Sequence, residues 1–217
     1  MTREYYFQQI KGLGNDLLKM GEDSLELLSL SIKALESRDV EMAKRVMERS
    51  GKISEMELEL EHNCVEILAL QQPMASDLRF ITSTLKILTD LERLSRLAYD
   101  IGAIVVKIGD EPLLPEIKDI RRMYDLAESM MTDSIHAFVN RDLEMARNMG
   151  ARDDEVDAMY DHVRRELIEE MIKDPKATDM ASHLSFVSRY IERCADHACV
   201  IAARTVYMVT GERLKIR

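Results

Sequence analysis

The stretch Ala34-Leu-Glu-Ser-Arg-Asp-Val-Glu-Met-Ala43 decides the fold, because it returns later in the chain as Ala137-Phe-Val-Asn-Arg-Asp-Leu-Glu-Met-Ala146. The two stretches are identical at six of ten positions without a gap. In the same order, Leu91-Glu-Arg-Leu-Ser-Arg-Leu-Ala98 aligns with Ile191-Glu-Arg-Cys-Ala-Asp-His-Ala198. Helical heptads resemble one another wherever apolar positions coincide, but the shared Arg, Asp and Glu lie off that periodicity. The pattern predicts two homologous halves.

The composition favours long helices. The 217 residues are 46% hydrophobic and 32% charged, and they include only 8 Gly and 4 Pro. Few turn residues predict few connections, and the abundant Leu, Met, Glu, Ala, Lys and Arg are good helix formers. We therefore predict an all-α fold of six long helices, arranged as two homologous antiparallel three-helix bundles.

Polar and proline residues mark the predicted helix ends. The first helix should run from about Tyr5 into the mid-thirties, with Asp39 as the N-cap of the second. The second should stop at Pro73, since the residue before proline leaves the α region. Half of the prolines fall between Gly109 and Pro115. This composition shift predicts a first repeat at 1–108, a linker at 109–115 and a second repeat at 116–217.

Charge and cysteine usage exclude several classes of protein. A net charge of -10 and a pI near 5.1 argue against a nucleic-acid partner, which requires a concentrated basic surface. The 3 cysteines have no C-x-x-C spacing, so neither a disulfide framework nor a structural zinc site is indicated. The N-terminus lacks an apolar signal region, and the longest apolar stretch is short. A cytoplasmic protein without a membrane span is expected.

Glu192 and Asp196 are the first candidate functional residues. On a helix they fall roughly opposite an apolar stripe that recurs every three or four residues. The stripe comprises Val187, Ile191, Cys194, Ala198, Ile201 and Thr205. Two carboxylates at i and i+4 on an open helix face, as expected here, repel each other, and a divalent cation would reverse that repulsion. Arg189 and Arg193 offer the alternative of a solvated charge ladder, and spacing alone leaves both open.

Further motifs accompany this one in a fixed order, and no single one of them is specific. They are Gln71-Gln-Pro-Met-Ala-Ser-Asp-Leu-Arg79, Asp90-Leu-Glu-Arg93, Arg152-Asp-Asp-Glu-Val-Asp157, Arg189-Tyr-Ile-Glu-Arg-Cys-Ala-Asp-His-Ala198 and Tyr207-Met-Val-Thr-Gly-Glu212. Together with the duplication, they resemble the PhoU family of phosphate transport system regulators over the whole chain. The resemblance implies a cytoplasmic homodimer that negatively controls the Pst phosphate ABC transporter and phosphate-starvation signalling. The implied partners are the cytoplasmic ATPase of that transporter and a sensor kinase, and membrane contact is expected only through the transporter.

The resemblance also implies multinuclear metal on Glu/Asp-x-x-x-Asp motifs, and the two halves differ in this respect. In the second half the metal ligands implied are Asp153, Asp154, Asp157, Glu192 and Asp196. In the first half Glu92 is kept and Asp100 lies two turns on, but Arg96 stands where the second half has an aspartate. The first half also has Ser50, Gly51 and Ser54 in place of the aspartates of the preceding helix. We expect metal in the second half, with only a weaker, degraded site in the first.

Carboxylates favour hard ions such as Mg²⁺, Mn²⁺, Ca²⁺ or iron; the expected cofactor is iron, manganese, magnesium or zinc. His197 should contact a neighbouring helix rather than the ion. Two alternatives remain open. Glu59-x-x-His62 has the spacing of a carboxylate-bridged di-iron, ferritin-like bundle, and a Met-rich helical chain can be a metal-free dimerisation scaffold. No enzyme activity is expected, because the scattered Ser, His, Asp and Cys residues define no catalytic arrangement.

Overall fold

The computed structural model describes residues 3–216, and these residues form helices and no strand. The predicted all-α fold of six long helices is confirmed, with one short helix and one 3-10 turn added. The helices are α1 Arg3–Ser37, α2 Val40–Gln71, α3 Ala75–Ile108, α4 Ile117–Asn140, α5 Leu143–Arg147, α6 Met149–Lys173 and α7 Thr178–Thr210. The 3-10 turn Pro175–Ala177 precedes α7.

The duplicated stretch folds in the same way in both halves. Arg38 and Arg141 are left-handed, with φ of 57° and 58°. Each following aspartate, Asp39 or Asp142, caps the next helix by accepting a hydrogen bond from the backbone N–H three residues on, at 2.8 and 3.0 Å. Each also donates its own N–H to the carbonyl oxygen five residues earlier, at 2.9 and 2.8 Å. The predicted N-cap at Asp39 is therefore confirmed.

The halves differ in the helix that follows this cap. In the first half α2 is continuous over 32 residues, and it ends before Pro73 as predicted. In the second half the corresponding segment is interrupted at Asn148, which separates α5 from α6. Between the halves, residues 109–116 are not helical, and Gly109 has a positive φ of 60°. Arg38 Nη1 donates to the carbonyl oxygen of Asp110 at 3.0 Å, which holds this segment against the α1–α2 turn.

In the first bundle α1 and α2 are antiparallel and α3 packs on both. Gln71 at the end of α2 donates to Gln9 near the start of α1 at 3.2 Å. Farther along, both terminal nitrogens of Arg49 donate to Glu26, at 3.2 and 2.8 Å. The second bundle is formed by α4, α6 and α7.

The buried apolar side chains form one core that runs through both bundles. Phe80 near the start of α3 stacks on Phe138 near the end of α4 with ring centroids 5.4 Å apart, so an aromatic pair joins the two halves. The helices α1 and α4 approach closely at Gly21, where an added Cβ would lie 2.7 Å from Ile135 Cδ1.

Helices α3 and α7 also join the halves, and they run antiparallel. Arg79 Nε at the start of α3 donates to the carbonyl oxygen of Met208 near the end of α7, at 2.9 Å. Eleven residues along α3 and eleven back along α7, Asp90 Oδ1 and His197 Nδ1 lie 3.0 Å apart. Both side chains are buried. The prediction that His197 contacts a neighbouring helix is confirmed.

The predicted apolar stripe of α7 is wholly buried. The expectation for Glu192 was wrong, because this carboxylate does not lie on an open face: the residue is only 8% exposed. Helix α6 packs against α7 on the side away from the stripe, and this packing covers Glu192. Among the residues described, no helix combines the length and the apolar character that a membrane crossing requires.

Candidate metal centre

The second-half site lies between α6 and α7. Glu192 of α7 is within electrostatic reach of Asp196 on its own helix and of Asp157 on α6. Burial raises the pKa of the Glu192 carboxyl above its ordinary value, and the charges of Asp196 and Asp157 raise it further, while Arg189 opposes the shift. Within the described residues, Glu192 Oε2 is buried and has no hydrogen-bond partner. Such an oxygen is costly to bury unless another group, such as a cation, contacts it.

Asp153 is linked to the same cluster by the thiol of Cys199, a residue that the sequence analysis did not identify as a candidate. Cys199 is buried and hydrogen-bonds to Asp153. Burial first, and then Asp153, raise the pKa of the Cys199 thiol to about 12. The negative charges of Asp196 and Asp157 also contribute to raising the pKa of this thiol. The spacing could have revealed it, since Cys199 lies three residues after Asp196 and so faces the same side of α7. The cluster therefore offers a thiol beside four carboxylates.

Asp154 stands apart from these four carboxylates. It is exposed on α6, whereas its neighbour Asp153 is buried. Asp157 is exposed as well, but unlike Asp154 its charge contributes to the pKa shifts of Glu192 and Cys199. Asp153, Asp157, Glu192 and Asp196 are therefore linked by charge interactions through Glu192 and Cys199, but among the described residues no three of their possible ligand atoms lie within 4.8 Å of one another.

Arginine competes with a cation at this cluster. Arg189 Nη1 donates to Glu192 Oε1, and the guanidinium lies 5.9 Å from the ring centroid of Tyr160 on α6. Arg193 instead faces Asp100 of α3. One of the two arginines that could form a charge ladder therefore pairs with the motif glutamate, and the other does not. The remaining carboxylate oxygen of Glu192 stays available to a second positive charge.

The equivalent position in the first half is closed by its own side chains. Glu92 is buried, and it accepts hydrogen bonds from Arg96 Nε at 2.5 Å and from Ser54 Oγ at 3.1 Å. Ser54 stands where the second half has Asp157, and Arg96 stands where it has Asp196. The two repeats therefore place equivalent residues in equivalent surroundings, but in the first half a cation and a hydroxyl belonging to the chain replace two carboxylates.

Asp100 lies apart from Glu92, toward the second half. Burial raises the pKa of its carboxyl, and the guanidiniums of Arg193 and Arg96 oppose that shift. Burial raises the pKa of the Tyr190 hydroxyl, and the negative charge of Asp100 raises it further. Asp100 thus interacts with cations of both repeats.

A second group of possible ligands lies on the surface between α4 and α6, where the sequence did not predict one. Oxygen or nitrogen atoms of Asp119, His162 and Glu166 come within 4.8 Å of one another, and within the described residues this is the one such group. All three side chains are at least partly exposed, and Asp119 also pairs with Arg122 at 3.1 Å. This group is adequately explained by surface ion pairing.

Comparison with known proteins now decides the family. The PhoU domain profile matches residues 17–105 and again residues 120–205, which together are most of the chain. The chain belongs to the PhoU family. Among curated relatives, one from Clostridium acetobutylicum is 33% identical over 100% of this chain and 99% of its own length. One from Aquifex aeolicus is 34% identical over 96% of this chain and 95% of its own length. Both are named "Phosphate-specific transport system accessory protein PhoU homolog".

Solved PhoU structures show the same architecture. The crystal structure of PhoU from Pseudomonas aeruginosa has a TM-score of 0.91, with 30% identity, and the match covers 95% of this chain and 100% of that one. The phosphate transport system regulatory protein PhoU from Streptococcus pneumoniae has a TM-score of 0.89, with 28% identity over 96% of this chain and 99% of its own. The predicted membership of the PhoU family is confirmed.

Proposed function

We propose that this PhoU family protein is an accessory regulator of a phosphate-specific transport system, which it inhibits when phosphate is plentiful. One observation carries the proposal: the match spans the full length of relatives that are named as accessory proteins of such a system. The proposed partner is the cytoplasmic ATPase of the transporter, with a sensor kinase as a second partner, and the proposed assembly is a homodimer. No catalytic step is assigned to the chain.

We further propose that the second-half cluster binds a divalent or trivalent metal ion. The support is the unpartnered, buried Oε2 atom of Glu192 with Asp157 and Asp196 close by. A cation there would neutralise mutually repelling carboxylates. Because Asp157 lies on α6 and the other two on α7, the ion would fasten these helices together. The proposed role of the metal is thus to fix the shape of the second bundle.

The ferritin-like alternative is disfavoured by the position of its motif. A carboxylate-bridged di-iron site requires ligands that project into the bundle core from facing helices. Glu59 and His62 are both exposed on α2. The metal-free dimerisation scaffold remains the competing proposal, and it predicts neither a bound metal nor any dependence on phosphate.

A deletion strain tests the regulatory role. With the gene deleted, cells grown at high phosphate should take up phosphate faster and express alkaline phosphatase, and the wild-type gene should reverse both effects. A gene carrying Asp157→Asn and Asp196→Asn should restore regulation incompletely. Asp161→Asn with Glu169→Gln is the matched control, because both carboxylates are exposed farther along α6 and the change in net charge is identical. Unchanged uptake and expression in the deletion strain would refute the regulatory role and favour the scaffold, whereas full rescue by the double variant would refute a role for the metal in regulation.

A further inference from the structure

A cavity of about 680 Å³ lies beside the carboxylate cluster, and its lining is strongly basic. It is open to solvent, and it is lined by a face of α7, by Lys86 of α3 and by the C-terminal tail beyond α7. Its cationic residues are Lys86, Arg193, Arg204, Arg213 and Lys215. The volume is in the range of small-molecule sites, about 300–1,000 Å³.

This concentration of positive charge is unexpected, because the chain as a whole has a net charge of -10. Asp196 is the one acidic side chain in the lining. Arg193 has a second acidic neighbour in Asp100. The other four cations are Lys86, Arg204, Arg213 and Lys215. In the part of the chain that the structure describes, none of them has a side-chain nitrogen within 4.0 Å of a carboxylate oxygen. Like charges gathered around one cavity repel each other unless an anion binds between them.

The C-terminal tail is held in place by an apolar anchor. Residues 211–216 have no regular structure, yet Ile216 is only 8% exposed and belongs to the hydrophobic core. Anchoring Ile216 keeps Arg213 and Lys215 at the cavity. Arg213 also lies over the ring of Tyr207, with its central carbon 5.9 Å from the ring centroid. Two of the cations are thus positioned by tail packing rather than by any acidic partner.

We propose that this cavity binds a small anion that carries two or more phosphoryl groups. Four cations without acidic partners, in a cavity of this size, match a ligand with several negative charges close together. Guanidiniums bind phosphate oxygens through paired hydrogen bonds, and lysine supplies a compact point charge. The apolar side chains of Val200, Ala203 and Leu214 also line the cavity, so an organic group on the ligand can be accommodated. The proposal requires neither the transporter nor a bound metal.

Isothermal titration of the full-length protein with inorganic tripolyphosphate, in EDTA, tests the proposal. The informative variant is Arg204→Gln with Arg213→Gln, which removes two cavity cations. Arg45→Gln with Arg164→Gln is the matched control, because these two exposed arginines lie outside the cavity and the change in net charge is identical. We expect the Kd for tripolyphosphate to rise at least about tenfold in the cavity variant and less than about twofold in the control. An equal change in both variants would show nonspecific attraction and overturn the proposal.

The class of ligand is tested by competing anions and by the tail. Citrate carries a similar charge on carboxylates, and inorganic phosphate has a single phosphoryl group; both should bind at least about tenfold more weakly than tripolyphosphate. Equal binding of citrate would contradict the assignment to phosphoryl groups. Ile216→Asp should release the tail and weaken tripolyphosphate binding while the circular dichroism spectrum remains helical. If this variant and the cavity variant both bind as wild type does, the cavity is not the site. Phosphate regulation in cells does not enter these measurements, so their failure leaves the proposed function standing.

Discussion

Replacing Arg96 by Asp should lower the stability of the metal-free protein. Glu92 is 6% exposed, and Arg96 Nε is its charged hydrogen-bond donor at 2.5 Å. Without the guanidinium, the buried carboxylate keeps the Ser54 hydroxyl at 3.1 Å as a neutral donor. The new aspartate also places a second negative charge one turn away. Both effects favour the unfolded state, in which the carboxylates are hydrated and farther apart.

The size of the effect follows from the exposure of the two partners. A hydrogen bond to a charged group contributes about 1.5–3 kcal/mol. The Arg96 side chain is 72% exposed, so solvent screening places its contribution at the low end of that range. Like charges at i and i+4 cost a few tenths of a kcal/mol at a surface, and more when one is buried. The expected loss is about 2 kcal/mol, or about 4–8 °C in Tm for a chain of this length.

Urea unfolding in EDTA of wild type, Arg96→Gln and Arg96→Asp separates the two contributions. The Gln variant is the matched control, because it loses the ion pair without adding a charge, and it should lose about 1.5 kcal/mol. The Asp variant should be less stable than the Gln variant. If the Asp variant were as stable as wild type, then the buried charge on Glu92 would not depend on Arg96 and the reasoning would be refuted.

Repeating the unfolding experiment with Mn²⁺ in place of EDTA tests the difference between the halves. Arg96→Asp restores the motif, but Ser50, Gly51 and Ser54 supply no carboxylates from α2. We therefore expect 1 mM Mn²⁺ to stabilise Arg96→Asp no more than it stabilises wild type. A larger gain in the variant would show that one aspartate is enough to create a site in the first half.

Three other predictions concern stability and reactivity. Asp39→Ala and Asp142→Ala should each lower the free energy of unfolding by about 1 kcal/mol through loss of an N-cap, and chemical denaturation should show near-additive losses in the double variant. Asp90→Ala should cost about 1–3 kcal/mol, because it leaves the buried His197 Nδ1 without its partner; a loss below 0.5 kcal/mol would contradict this. Burial raises the pKa of each cysteine thiol to about 12, so all three should react slowly with a thiol reagent at pH 8 and accelerate only near pH 12 or on unfolding; rapid reaction at pH 8 would contradict the packing.

The fold could be predicted because its evidence is local. The repeated stretch carries its own turn and cap, so Asp39 and Asp142 could be recognised from sequence alone. Proline at position 73 marks a helix end by steric exclusion. The interruption at Asn148 was not predicted, although Asn148 and Gly150 stand where the first half has Arg45 and Met47 and are weaker helix formers.

The site could be predicted only in part, because burial depends on tertiary contacts. Helical spacing placed Glu192 away from the stripe, yet the packing of α6 against α7 buries it. Aligning the repeats placed Ser54 and Arg96 where the second half has Asp157 and Asp196, but it did not predict that both side chains donate hydrogen bonds to Glu92. The basic cavity could not be predicted, because two of its cations, Arg213 and Lys215, reach it only after the tail folds back along α7.

Crystals grown or soaked with Mn²⁺ would locate the metal directly through its anomalous scattering. The predicted result is at least one peak between α6 and α7, about 2–2.6 Å from carboxylate oxygens of Asp157, Glu192 or Asp196, with no peak at Glu92 and Arg96. A peak at Glu92 would contradict a metal centre confined to the second half. The absence of a peak at either position, in crystals soaked with saturating Mn²⁺, would contradict it as well.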